Sequence, residues 1–144
     1  AHGLVGSEMC IRDRVRANII HPDYHNSAND QIISLAMIET EQAVENAEAI
    51  CSTPGLTGIY VGPSDLAISM GEGPGLDRGP GKVYDAIQHV LTTAKASGIR
   101  AGLHCMDPDY IKKMYECGFD FASLSNDVRL LTQVVTSQIN AVRS

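Results

Sequence analysis

The feature that most constrains the fold is an alternation that starts at Ile32. Four short apolar runs, each closed by turn residues, alternate with segments whose apolar residues recur every three or four positions. The runs Ile32–Ile38, Thr57–Val61, Ile99–Cys105 and Phe119–Leu124 have the length and composition of buried strands. After the first, Thr40 is placed to cap a helix whose first turns carry Glu41 and Glu45 near the positive end. Ala43, Val44, Ala47, Ile50 and Cys51 then share one helical face, and Thr53-Pro54-Gly55 ends it.

The remaining helices read in the same way. Asp65 to Met70 has the length of about one helical turn. The Gly/Pro-rich stretch from Gly71 to Gly81 is a loop. Lys82 to Ser97 is the clearest helix, with Val83, Ala86, Ile87, Val90, Leu91 and Ala94 on one side and Gly98 as its stop. Asp107 caps the next helix and Pro108 takes its first position, with Ile111, Met114 and Tyr115 expected to face inward and Gly118 to end it. Ser125-Asn126-Asp127 opens a final helix, with Val128, Leu131, Val135, Ile139 and Val142 on its inner side.

Strands joined by helices imply a parallel sheet, and strands this apolar suit one with both faces covered. The expected fold class is therefore α/β, with four consecutive βα units. A complete (β/α)8 barrel needs about 250 residues, so a chain of 144 residues is expected to be a partial barrel. Right-handed crossovers bring every carboxyl end to one rim, which would gather Glu39, Asp65, His104 and Ser125.

Upstream of Ile32 the pattern is weak. Residues 1–14 resemble translated adapter sequence and are expected to be a non-native or disordered leader, the alternative being a frayed or helical terminus. The domain is expected to span residues 15–144, with Val15 to Asp30 a loop containing a helical turn near Tyr24–Asn29.

Composition removes several classes of function. A net charge of −6 with no basic stripe argues against nucleic acid. No apolar run approaches the roughly 20 residues of a membrane helix, and no signal segment is recognisable. Cys10, Cys51, Cys105 and Cys117 lie far apart, which reads as reduced thiols and a cytoplasmic location.

The chemistry concentrates around Gly58-Ile59-Tyr60-Val61-Gly62-Pro63-Ser64-Asp65-Leu66. Gly62 and Pro63 stop the strand and deliver Asp65 at its carboxyl end, where parallel α/β folds bind ligands. Glu39 ends the preceding strand. Two hard oxygen donors at adjacent strand ends suit Mg²⁺ or Mn²⁺, with water and substrate completing the shell; capping and solvated rim charges are the plainer reading. Backbone N–H groups around Ser64 and Asp65 could hold a carboxylate, or the turn could simply close a βα unit. The Gly71–Gly81 loop could be a lid or phosphate cradle, or a flexible connection, and Arg78 within it could meet an acid or be solvated. His104 could be a base or ligand, or a hydrogen-bonded structural residue.

The ordered series Met37-Ile38-Glu39-Thr40, Ala43-Val44-Glu45-Asn46, Pro54-Gly55, Gly62-Pro63-Ser64-Asp65-Leu66 and Ser69-Met70-Gly71 closely resembles the HpcH/HpaI aldolase family, the class II pyruvate aldolases of the citrate lyase β superfamily. The resemblance runs from about Asn18 to the carboxyl terminus. It implies a (β/α)8 barrel of the phosphoenolpyruvate/pyruvate-binding type, assembled as a homo-oligomer. It implies a divalent metal ion (Mg²⁺, Mn²⁺ or Co²⁺) held by Glu39 and Asp65, with Gly62 and Ser64 bordering the bound 2-oxo acid and Leu103 near the substrate pocket. The implied reaction is cleavage of a 4-hydroxy-2-oxo acid to pyruvate and an aldehyde through a metal-stabilised enolate.

Two departures accompany it. Met37 stands where many members carry Gln. The family's catalytic His and carboxylate-binding Arg come from the first half of the barrel, so neither role passes to any residue here, including His21, His25 and His104. The chain is expected to be a carboxyl-terminal half-barrel, inactive alone. Two alternatives stay open: a citrate- or malyl-CoA-type acyl-CoA lyase, and a non-catalytic half-barrel that self-associates.

Overall fold

Every one of the four apolar runs becomes a strand, though shorter than its apolar stretch. The computed structural model describes residues 19–143, so the leader and Cys10 lie outside the described residues. The chain divides into a short amino-terminal unit ending at Ile33 and a body that begins at Ser34.

The amino-terminal unit holds helix α1, Tyr24–Gln31. It is longer than the helical turn expected there. The Ile32 amide still donates to Ala28 at 2.9 Å, which claims for the helix an end that its apolar side chain would lend to a strand.

The body contains β1 (Leu35–Ile38), α2 (Glu41–Glu45), α3 (Ala47–Cys51), β2 (Gly58–Val61), α4 (Pro63–Ser69), α5 (Lys82–Ala96), β3 (Arg100–Cys105), α6 (Pro108–Cys117), β4 (Phe121–Leu124) and α7 (Asp127–Arg143). The strands form one parallel sheet in the order β1-β2-β3-β4. This is the architecture of consecutive βα units.

The caps follow from the sequence. Thr40 Oγ1 accepts from the Ala43 amide at 3.1 Å, and Asp107 Oδ1 accepts from Asp109 and Tyr110. Pro63 and Pro108 sit in the first turns of α4 and α6, where a missing N–H costs nothing. Gly118 ends α6 in the left-handed region, φ 112°, which a side chain would resist. The single helix expected over Glu41–Cys51 is instead two, because the Asn46 side chain donates to Gln42 O at 2.7 Å and the backbone there leaves helical geometry.

The core lies on one face of the sheet. Ile38, Ile59, Val61, Ala101, Leu103 and Cys105 point into it, and Val83, Ile87, Val90, Leu91 and Ala94 of α5 pack over them. Leu66 and Ala67 of α4, Cys51 of α3 and Met114 of α6 complete the layer. Truncating a fully buried member such as Ile87 would cost about 2–5 kcal/mol.

Two inward assignments fail. Tyr115 is 47% exposed, because Met114 takes the buried position of that turn. No residue of α7 is buried, and Val128, Leu131, Val135, Ile139 and Val142 all stand exposed. The apolar stripe exists on α7, but the described chain puts nothing over it.

Candidate active site

Strand parity sorts the sheet's side chains onto two faces. Residues one step from the core positions, Met37, Tyr60, Gly102, His104, Phe121 and Ser123, project from the face opposite the α5 core layer. The register pairs Met37 with Tyr60, Tyr60 with Gly102 and Gly102 with Phe121. One layer nearer the carboxyl ends, His104 pairs with Ser123, and the same register carried forward sets Glu39 beside Gly62 and Gly62 beside His104.

A cleft of about 230 Å³ opens at these carboxyl ends. Glu39, Gly62, Ser64 and Asp65 line it together, so four of the five residues that the resemblance assigns to metal and substrate meet at one place, while Ser125, also expected on this rim, lines a separate hollow with Met106 and Arg129. Met37, Tyr60, Leu76 and His104 complete its wall. Leu103 does not join them: its side chain is fully buried in the core beneath the helices, and the next residue, His104, faces the cleft.

Each acid is positioned by local backbone. Glu39 leaves the end of β1 just before the Thr40 cap. Asp65 sits in the first turn of α4, which starts at once because Gly62 and Pro63 end β2. The Gly62 amide donates to Ile38 O at 3.0 Å, which locks the two strand ends side by side. A Cβ at Gly62 would lie 3.3 Å from Glu39 Oε2, so the bare glycine leaves the space that the carboxylate occupies.

Among the described residues, no three His, Cys, Asp or Glu side chains converge on a common point. Two carboxylates beside an open cleft fit Mg²⁺ or Mn²⁺, which keep several ligand positions for water and substrate oxygens. They do not fit a closed structural zinc centre.

The Gly71–Gly81 loop is braced. Asp77 Oδ1 and Oδ2 accept from the Met106 and Asp107 amides, each at 2.8 Å, and Tyr110 donates to Arg78 O at 3.0 Å. The Arg78 guanidinium folds back onto Gly73 O, Gly75 O and Glu72, so it serves its own loop. Neither a free connection nor a solvated cation describes this segment, and Leu76 is held in the cleft wall by it.

Cys105 is buried, and burial followed by the nearby Asp77 charge pushes its thiol up to about 12. That excludes a ready thiolate nucleophile beside His104. Sequence reasoning missed the partners of His104. Its Nδ1 lies 2.6 Å from Ser123 Oγ and 3.1 Å from Tyr60 Oη, and the two hydroxyls touch each other. The Phe121 ring crosses over Gly102 to stack on Tyr60, with centroids 5.9 Å apart, and holds the phenol in place. None of these spacings shows in the sequence, because each crosses strands.

The chain as a whole is similar to proteins of one family. The family model described as HpcH/HpaI aldolase/citrate lyase matches residues 7–133. A hydroxypyruvate/pyruvate aldolase of Rhizorhabdus wittichii is 34% identical over 121 residues, covering 84% of this chain and 48% of that protein. A 5-keto-4-deoxy-D-glucarate aldolase of Enterobacter sp. is 37% identical over 115 residues, covering 78% of this chain and 44% of that protein. The crystal structure of a HpcH/HpaI aldolase/citrate lyase family protein from Burkholderia cenocepacia aligns with a TM-score of 0.77 at 33% identity, over 85% of this chain and 47% of that one. The chain thus spans about half the length of the relatives it matches.

Proposed function

This chain belongs to the HpcH/HpaI aldolase/citrate lyase family, and on that premise we propose that it carries the metal-binding part of an aldolase site that cleaves a 4-hydroxy-2-oxo acid to pyruvate and an aldehyde. The observation that carries this reading is that Glu39 and Asp65, from adjacent parallel strand ends, line one cleft. The aldolase names of the relatives support the reaction class.

Glu39 and Asp65 would hold the divalent cation with hard oxygen donors. A cation bound there supplies Lewis acidity to the oxygens of a 2-oxo acid. Gly62 keeps clear the volume that the Glu39 carboxylate needs. Ser64 borders the substrate from the first turn of α4, and Leu76 limits the space on the loop side. Proton transfer is assigned to no residue of this chain.

Self-association belongs to the same proposal. The sheet face opposite the α5 layer leaves Met37 52% exposed, and α7 exposes Val128 and Leu131 at 68% and 66%. Apolar surface of this extent calls for cover. Sedimentation of the protein is expected to show an assembly, and a strict monomer would remove this part of the proposal.

Electron paramagnetic resonance of Mn²⁺ titrated into the protein tests the site itself. Glu39→Gln and Asp65→Asn are each expected to weaken binding at least about tenfold, as loss of a charged ligand does. Unchanged Mn²⁺ binding in both variants overturns the assignment. For the reaction, metal-dependent release of pyruvate from a 4-hydroxy-2-oxo acid is expected of the full-length gene product, and metal-independent release by it would overturn the reading. Turnover of acyl-CoA thioesters instead would favour the lyase branch of the family.

A further inference from the structure

His104 occupies a position that the metal chemistry leaves without a role. It lines the cleft that Glu39 and Asp65 share, on the far side of Gly62 from Glu39. Two strand spacings separate β1 from β3, about 9.5 Å, which leaves room for a small molecule between the acid and the imidazole.

The hydrogen bonds around Nδ1 decide where the ring proton lies. Nδ1, Tyr60 Oη and Ser123 Oγ form a closed triangle. Each hydroxyl brings one proton. If Nδ1 accepts, one hydroxyl donates to it and the other hydroxyl donates to the first, so both protons are placed. If Nδ1 carried a proton, one hydroxyl proton would have no acceptor within the triangle. The arrangement in which every proton of the triangle finds its acceptor inside it is the one with the ring proton on Nε2. No hydrogen bond to Nε2 forms among the described residues.

We propose that His104 is a substrate-binding residue: an imidazole, fixed by Tyr60 and Ser123, whose Nε2–H donates to a hydroxyl or carbonyl oxygen on the carbon chain of a 2-oxo acid in the cleft. The ligand class is a small hydroxylated 2-oxo acid, favoured over the analogue that lacks the hydroxyl. This inference rests on the reading of the cleft as a 2-oxo acid site. It gives His104 a binding role, distinct from the family's catalytic His. Of the rest of the wall, Met37, Gly62 and Leu76 offer no donating side chain, Glu39 and Asp65 accept only, and the Tyr60 hydroxyl is held in the triangle, which leaves Ser64 as the other side-chain donor.

The test uses ¹⁵N-labelled protein with Mg²⁺, titrated separately with hydroxypyruvate and with pyruvate, reading the His104 ring nitrogens and the two affinities. The expected result is an Nε2–H tautomer in the free protein and a hydroxypyruvate-induced shift at Nε2. The hydroxypyruvate-to-pyruvate affinity ratio is expected to fall about fivefold in His104→Leu, to recover in part in His104→Gln, and to fall in Ser123→Ala, which removes the anchor but keeps the ring. An Nδ1–H tautomer, or a ratio unchanged in both His104→Leu and Ser123→Ala, overturns the proposal. If Mg²⁺ has no effect on binding while hydroxypyruvate still shifts Nε2, the metal reading fails and His104 stands. Mg²⁺-dependent binding with His104 unmoved has the opposite meaning.

Discussion

The Glu39 carboxylate lies against the bare α-carbon of Gly62: a Cβ there would stand 3.3 Å from Oε2 and 3.3 Å from Glu39 Cβ. Gly62 has φ −101°, which any residue can adopt, so its glycine is required by space and not by backbone conformation. Gly62→Ala is therefore expected to fold, with the Glu39 side chain displaced by a few tenths of an ångström. A ligand moved off its geometry loses affinity, and a loss of about tenfold in Mn²⁺ binding is the expected outcome. The thermal midpoint should change little. A variant that binds Mn²⁺ like the parent would show that Glu39 does not hold the ion from this position.

Much of this arrangement is legible in the sequence. Asp107, Pro108 and Gly118 bracket α6 because caps and stops act over three or four residues. Glu39 and Asp65 are legible because Glu39 ends one apolar run and Asp65 follows the next across the Gly62-Pro63-Ser64 turn, and a parallel sheet brings such ends together. What crosses strands is not. His104 meets Tyr60 and Ser123 only through the register, and nothing in the local pattern reports a register. The Asn46 break escapes because side-chain competition with the backbone leaves the apolar period of Ala43 to Cys51 intact. The α7 stripe reads as inward-facing because periodicity reports that a face is apolar and says nothing of what covers it.

Asp120 ties the start of β3 to the helix layer. It accepts from Lys95, from Arg100 at 2.9 Å and from the Ala101 amide at 2.8 Å. Desolvation raises its pKa, but the Lys95 hydrogen bond, the Ala101 amide and Arg100 outweigh that and bring it down to about 2. A carboxyl depressed in the folded state contributes stability above its unfolded pKa and loses it as pH falls through the folded value. The contribution should be complete at neutral pH and disappear between about pH 4 and pH 2. After allowance for solvent screening it is worth about 1 kcal/mol. Asp120→Asn should lower the melting temperature at pH 7, and the gap from the parent should narrow as the pH approaches 2. A gap that stays constant with pH would remove the ion pairs as its cause.

Thiol reactivity reports on the core. Cys51 and Cys105 are buried and Cys117 is exposed. Burial pushes both inner thiols up, Cys105 to about 12. In a Cys10→Ser background, a thiol reagent at pH 8 is expected to label Cys117 alone in the native protein. Cys51 and Cys105 should react only after denaturant is added, with a midpoint matching global unfolding. Rapid native labelling of Cys105 would mean that the layer between β3 and the helices opens far below that transition.

Asp77 sets the wall of the cleft from a distance. Its two carboxylate oxygens each take one amide of the β3–α6 turn, Met106 and Asp107, at 2.8 Å. The next residue toward the amino terminus, Leu76, faces the cleft. Asp77→Ala removes both acceptors and leaves two amides to find water, while the Asp107 cap on Asp109 remains. Each lost charge-assisted bond is worth about 1.5–3 kcal/mol where buried and less at this exposed turn. The expected effect is local: faster hydrogen exchange at Met106 and Asp107, and new protease cleavage between Gly71 and Gly81, with global stability reduced by no more than about 1 kcal/mol. Asp77→Asn keeps one acceptor oxygen and should protect one of the two amides. Exchange rates at both amides unchanged in Asp77→Ala would show that the loop is held by Tyr110 and the Arg78 brace alone.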